Sequence, residues 1–401
     1  MAVTDDREAL LWRPGSRKFR LLGAILATLF VGYAAVYLTV SFTSGSPHAF
    51  GDSFALWSWG RFAIAHPAAA IYDPAELHRA QIGLGMPADD EYPFAYPPSF
   101  LLVLWPMGLL PHPLAGATLT LGSLALFLWA TLGREWRLPA LLTVLAMPTT
   151  TIAIVSGQSG FLAGAMLAGG LRLAASRPLL AGILFGLLTY KPQLGLLVPV
   201  ALAAARLWRT LAAASLTALA LVCVTTALFG SEVWAAWLVA LPQYSHQFAA
   251  QSGDILHLMP TVLAGLLRLG ISPGTANTVQ WATFAASAAI VWALFRHGAT
   301  PLAGAALMVA TFLATPYAFV YDMPLLAAAV IWIVEERRRD RDAFTSLEML
   351  ILMFAAVFPM TMPSGTSHFP LAPTVLALLL GLIAARLWRG RRPAVAALPA
   401  Q

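Results

Sequence analysis

Charge is what this sequence has least of. Only 10% of its 401 residues are Asp, Glu, Lys or Arg, against 59% hydrophobic residues and a mean hydropathy of +0.75. No soluble domain of this length needs so much apolar residue, so the solvent it expects is a bilayer. Cysteine occurs once, as Cys223 inside an apolar run, which excludes an internal disulfide. Lysine occurs twice, as Lys18 and Lys191. Also missing are a GxxxxGK[ST] phosphate loop, GxSxG, HExxH and a Cys/His zinc spacing. No long polar segment offers room for a cytosolic nucleotide-binding domain, so an ATP-driven pump is not expected. The net charge of +6 does not point to nucleic acid. Its basic residues are scattered between apolar segments and read as topology signals.

What is there is a series of apolar runs. The basic stretch Arg13–Arg20 precedes an apolar run from Leu21 to Phe42, long enough to span and without a small-residue cleavage pattern. It reads as a retained first helix. Further runs occupy roughly 98–132, 138–154, 158–175, 178–190, 192–205, 210–229, 276–296, 301–318, 322–336, 345–361 and 368–388. Pro111-His112-Pro113 divides the first of these, leaving 98–110 as a short or re-entrant piece. Residues 258–270 are too short to cross and read as a half-helix in or on the membrane. The expectation is an all-α integral membrane protein of about twelve spans, one domain over 1–401, in the plasma (inner) membrane.

Charge sets the orientation. With the N-terminus in the cytoplasm and the twelve runs alternating, 20 of the 24 Lys and Arg fall at cytoplasmic ends. Arg61, Arg79, Lys191 and Arg268 fall outside that set. Acidic residues do the reverse: Asp52, Asp73, Glu76, Asp89, Asp90, Glu91, Glu232, Asp254 and Asp322 face the outer side. Two large outer loops result, 43–97 and 230–275. Each carries a Trp-rich amphipathic stretch, "FALWSWGRFAIAH" and "SEVWAAWLVALPQY", expected to lie in the interface plane.

Over roughly 45–205 the order of short patterns resembles a known family. "GDSFALWSWGRFAIAHPAAAIYDP", "YPFAYPPSFLLVLWPMGLLP", "SGQSG" and an apolar helix ending at Lys191-Pro192 together resemble glycosyltransferase family 87, within the GT-C superfamily. The resemblance implies a transferase that takes a sugar, typically mannose, from a polyprenyl-phosphate carrier on the extracytoplasmic side. A lipid-borne donor needs no nucleotide fold, which suits the absences above. The acceptor would be a glycolipid or a glycan, membrane lipids the other partners, and no cofactor or metal is expected. A multi-spanning transporter or a lipid-linked sugar flippase is the alternative, although no internal repeat is evident.

The resemblance and the chemistry select site residues. Glycosyl transfer needs a base for the acceptor hydroxyl and cations for the leaving phosphate. Asp52, in "FGDSF" after the first span, is the candidate base; its alternative role is a helix N-cap. Lys191 is a candidate for the donor phosphate, since an intramembrane cation is functional by default. Snorkelling to the interface is its alternative. Arg61 and Arg268 are weaker phosphate candidates. Tyr96 and Gln158 are placed to stack on, or hydrogen-bond, a sugar. Asp73, in "YDP", reads mainly as a cap and otherwise as an acceptor-side acid. Where family members often carry histidine this chain has Tyr321 and Asp322, which leaves the sugar or acceptor contact there its own.

Overall fold

The computed structural model describes residues 12–43, 51–133, 136–250, 255–363, 365 and 370–389. Arg7, Arg134, Arg391 and Arg392, counted among the cytoplasmic basic residues, and Asp254, assigned to the outer side, lie outside them.

The described residues are almost wholly helical, with one isolated antiparallel bridge between Trp12 and Phe344. The helices are α1 (Arg17–Thr43), α2 (Gly51–Ala65), α3 (Pro74–Gly83), α4 (Leu101–Gly108), α5 (His112–Leu132), α6 (Leu138–Ala146) and α7 (Pro148–Ser156). Then come α8 (Gly160–Leu173), α9 (Pro178–Leu187), α10 (Val198–Ala204), α11 (Trp208–Phe229) and α12 (Glu232–Ala250). The last six are α13 (Val262–Arg268), α14 (Pro273–Phe295), α15 (Pro301–Ala314), α16 (Pro324–Arg339), α17 (Ser346–Val357) and α18 (Leu371–Arg389).

Proline sets many of these boundaries. Pro74, Pro148, Pro178, Pro273, Pro301 and Pro324 each stand in the first turn of a helix. The ring fixes φ near the helical value and its missing N–H is one the first turn does not use. The same residue cannot continue a helix from the preceding side. Proline therefore cuts the apolar sequence into many short rods.

That cutting bears on the expected twelve crossings, which the helix lengths do not confirm. Among the described residues five helices are long and apolar enough to cross a membrane alone: α1, α5, α11, α14 and α18. The pair α6 and α7, bent by 58°, makes a sixth if it counts as one span. Rods such as α8 and α15, 14 residues each, reach only about 21 Å at 1.5 Å per residue. A bilayer core of about 30 Å needs more.

Burial separates the two kinds of rod. The long helices α1 and α11 expose large aliphatic residues, including Leu21, Val36, Leu216 and Leu228. A helix that is apolar on its outward face is solvated by lipid. The short helices form the core: every residue of α8 from Gly160 to Leu171, and of α15 from Ala303 to Ala314, is buried. α16 packs beside them, buried from Pro324 to Ile333.

One end of this core is tied by charge. Glu348, capped into α17 through reciprocal hydrogen bonds with Thr345, accepts from Arg386 Nε at 2.9 Å. Arg337 pairs with Asp342 and with Glu348. The guanidinium groups of Arg337 and Arg386 lie over the Phe344 ring, and the bridge from Trp12 reaches the same residue. The two amphipathic stretches of the outer loops form α2 and α12, and a short helix, α13, lies within 258–270.

Candidate functional site

Three interruptions in the short core rods meet at one place. The first is "SGQSG". α7 stops at Ser156 and Gly157 takes φ +65°, a left-handed conformation that costs an L side chain dearly. A Cβ there would also stand 2.7 Å from Cβ of Ser53. The first turn of α2, which carries Asp52, therefore rests on this break. Gln158 and Ser159 follow, and α8 begins at Gly160, where a Cβ would overlap the carbonyl oxygen of Tyr321.

The second interruption is at Lys191, held between the short turns Leu188–Tyr190 and Pro192–Leu194. The third lies between α15 and α16, where Val320–Asp322 forms a single 3-10 turn.

Lys191 and Asp322 join the second break to the third. Nζ of Lys191 lies 2.6 Å from Oδ1 of Asp322, and each side chain is only 2% exposed. Oδ2 of Asp322 accepts from the backbone N–H of Phe319 at 3.2 Å. Both carboxylate oxygens are thus engaged, as burial of a charge requires. The ammonium also lies over the Tyr321 ring, 4.9 Å from its centroid, and 5.7 Å from that of Tyr96.

Aromatic residues join this pair to the first break. The hydroxyl of Tyr96 donates to Oε1 of Gln158 at 3.3 Å. That of Tyr190 donates to the carbonyl of Ser159 at 2.9 Å. Both rings contact Phe100, with centroids 4.8 and 4.5 Å away. Burial raises the Tyr96 hydroxyl above its usual range against the pull of Lys191, so it stays protonated and acts as a donor.

Asp52 is half-buried in the first turn of α2, inside the helix rather than capping it. Burial pushes its carboxyl up to about 7, and the Lys191 ammonium draws it partly back. Its charge reaches Tyr96 and Tyr321. The carboxyl therefore shares the electrostatic surroundings of the ion pair and sits near the point where a general base works best.

The structure brings Asp52, Tyr96, Gln158, Lys191, Tyr321 and Asp322 into one neighbourhood. It leaves three expected residues elsewhere. Asp73 is exposed and caps α3, with Oδ1 accepting from Ala75 and Glu76 backbone N–H groups at 2.9 and 3.0 Å. Its place as a sugar or acceptor contact is corrected to that of a cap. Arg61 is exposed on α2 and donates to the carbonyl of Gly108 at 3.4 Å. It lies nine residues along the helix from Asp52, about 14 Å. Arg268 donates to the carbonyl of Gly365, beside a cleft lined by His257, Met259 and Pro370. Those two carbonyls are the contacts that place Arg61 and Arg268.

Two neighbours went unmarked in the sequence, Tyr190 and Ser159. Tyr190 directly precedes Lys191, and Ser159 directly precedes a helix that opens with glycine; a serine there is an N-cap signature. Among the described residues no group of three or more His, Cys, Asp or Glu is placed to hold a metal ion. A cavity of about 160 Å³, lined by Thr131, Arg172, Trp332, Glu335 and Arg339 among others, contains none of the site residues. It lies at the opposite ends of α8 and α16.

No curated protein and no solved structure matches the chain. Residues 94–316, more than half of the 401, match glycosyltransferase family 87. That segment contains Tyr96, Gln158 and Lys191. The chain belongs to glycosyltransferase family 87 and is a membrane glycosyltransferase.

Proposed function

We propose that the protein transfers a sugar, mannose as the family resemblance implies, from a polyprenyl-phosphate carrier to a glycolipid or glycan acceptor. The reaction takes place on the extracytoplasmic face of the plasma membrane. Asp52 is the general base that removes the acceptor hydroxyl proton. Lys191 meets the donor phosphate. Tyr96, Gln158, Tyr321 and Asp322 line the sugar or acceptor.

The observation that carries this reading is Asp52 itself. Its carboxyl is pushed up to about 7 and stands within the field of a buried ammonium. Proton removal and stabilisation of an anionic leaving group are the two needs of glycosyl transfer.

Helix direction supports that side of the membrane. α8 and α16 both begin at the cluster, at Gly160 and Pro324, and run away from it to Arg172 and Arg337–Arg339. Those basic ends stand one rod length off, about 21 and 24 Å. Basic residues favour the cytoplasmic side, which supports a cluster that faces outward.

The test is an assay with polyprenyl-phosphate mannose and crude envelope lipids. Wild-type protein is expected to yield a mannosylated product, and Asp52→Asn to yield none at equal folded protein. Undiminished transfer by Asp52→Asn removes Asp52 as the base. Transfer from another carrier alone removes the donor assignment.

A further inference from the structure

The cavity of about 160 Å³ lies where α8 and α16 end, away from Lys191, and three helices finish on its wall. Thr131 belongs to the last turn of α5, Arg172 to that of α8 and Arg339 to that of α16. Helix C-termini carry partial negative charge and favour a cation. Arg172 meets part of that demand, since its guanidinium donates to the carbonyls of Ala130 and Thr131. The indole N–H of Trp332 donates to the same Thr131 carbonyl at 2.9 Å.

Two polar groups of the wall stay unmet. Thr131 is 1% exposed, and its hydroxyl has no hydrogen-bond partner among the described residues. Burial of a hydroxyl in that state is costly unless a ligand supplies the partner. Glu336 is half-buried, and its carboxylate makes no hydrogen bond or ion pair among the described residues. Its neighbour Glu335 pairs with Arg338 at 2.7 Å. Arg339 stands one helical turn beyond Glu336. The charged wall thus holds two acids, Glu335 and Glu336, and two bases, Arg172 and Arg339. A ligand of balanced charge, with N–H donors at one end and an anion at the other, complements it.

The cavity stands at headgroup depth. Trp136, between α5 and α6, and Trp292, in the last turn of α14, are both exposed. Exposed tryptophans mark the membrane–water interface. Ala140 of α6 and Ala299, just beyond α14, both line the cavity. Leu138 and Leu142 of α6 are exposed to lipid, so acyl chains leaving the cavity beside Ala140 can lie along them.

We propose that this cavity seats the headgroup of a phosphatidylethanolamine-type lipid from the leaflet opposite the Lys191 cluster. The primary ammonium donates to the Glu336 carboxylate and the Thr131 hydroxyl, and the phosphate faces Arg339. A trimethylammonium headgroup has no N–H to donate and is bulkier. An anionic headgroup brings no cation for the two carboxylates. A lipid seated there ties together the ends of α5, α8 and α16, whatever sugar donor the other end of the rods takes.

The experiment is native mass spectrometry of the full chain released from mixed micelles. The micelles hold equal amounts of phosphatidylethanolamine, phosphatidylcholine and phosphatidylglycerol with the same acyl chains. Wild type is expected to retain phosphatidylethanolamine about tenfold over phosphatidylcholine, the worth of a hydrogen bond to a charged group. Glu336→Gln should lose most of that preference. Arg339→Gln should weaken both zwitterionic lipids alike, and Glu76→Gln on α3, outside the cavity, should keep the wild-type ratio. Equal retention of the two zwitterionic lipids by wild type, a comparison that needs no variant to fold, overturns the proposal. So does an undiminished preference in folded Glu336→Gln. Phosphatidylglycerol retained above both overturns the ammonium assignment. Displacement of the lipid by an equal concentration of O-phosphoethanolamine overturns the lipid source.

Discussion

Lys191 and Asp322 stand 131 residues apart in the chain and 2.6 Å apart in space, both almost fully buried. One sits at the break before α10 and the other at the turn before α16. Their contact fixes two interrupted rods against each other. Removing one partner leaves the other as an uncompensated buried charge, at a cost of about 3–5 kcal/mol. Asp322→Ala is therefore expected to lower the thermal midpoint in detergent sharply. Lys191→Met combined with Asp322→Leu should recover much of that loss, because neither charge then remains. Additive losses in the double variant would show that the two residues do not act as a pair.

Asp52 gives the pH dependence. A base must be ionised to take a proton, so the rate of transfer should climb with pH through about 7, where the carboxyl ionises, and level off above it. Stability runs the other way. The folded carboxyl sits above its ordinary value, so the folded state binds more protons than the unfolded one. Wild type then loses stability as pH rises from about 4 to about 7. Asp52→Asn has no such group. Its stability relative to wild type should grow across that window, read as the difference in thermal midpoint at pH 5 and pH 8. A constant difference would mean that the carboxyl is not held up by burial.

Sequence reasoning reached the all-helical membrane architecture and most of the clustered residues for identifiable reasons. Apolar length announces lipid exposure, and an isolated lysine in an apolar stretch is costly enough to need a purpose. Helix lengths were not legible, because α8 and α15 are as apolar as a span but are bounded by Gly160 and by the turn after Ala314. The contacts of Arg61 with Gly108 and of Arg268 with Gly365 were not legible, because spacing along a chain does not report which face of a fold a side chain joins. The partnership of Lys191 with Asp322 was equally invisible: nothing local in "TYKPQ" or "VYDMP" names the other segment.

Asp73 separates capping from chemistry. It is exposed and its carboxylate serves two N–H groups of α3. Asp73→Ala should cost about 1 kcal/mol of stability, the usual value for loss of a cap. Transfer per folded molecule should stay at the wild-type level. A loss of kcat without loss of stability would return Asp73 to the site.

Gly160 tests the geometry that unites the three breaks. Its hydrogen stands where any side chain would strike the Tyr321 carbonyl, and Asp322 follows directly in the chain. Backbone cannot swing aside as a flexible side chain does, so Gly160→Ala must push the Tyr321–Asp322 turn away from α8. Overpacking of this kind costs about 1–3 kcal/mol. The larger effect falls on the site, because the displaced turn carries the carboxylate that holds Lys191. Gly160→Ala is expected to lower kcat strongly in protein that still folds. Gly122→Ala on α5, where an added Cβ meets nothing within 4 Å, should leave both quantities near wild type. Equal activity in the two variants would mean that the contact between α8 and the Tyr321–Asp322 turn does not set the position of the ion pair.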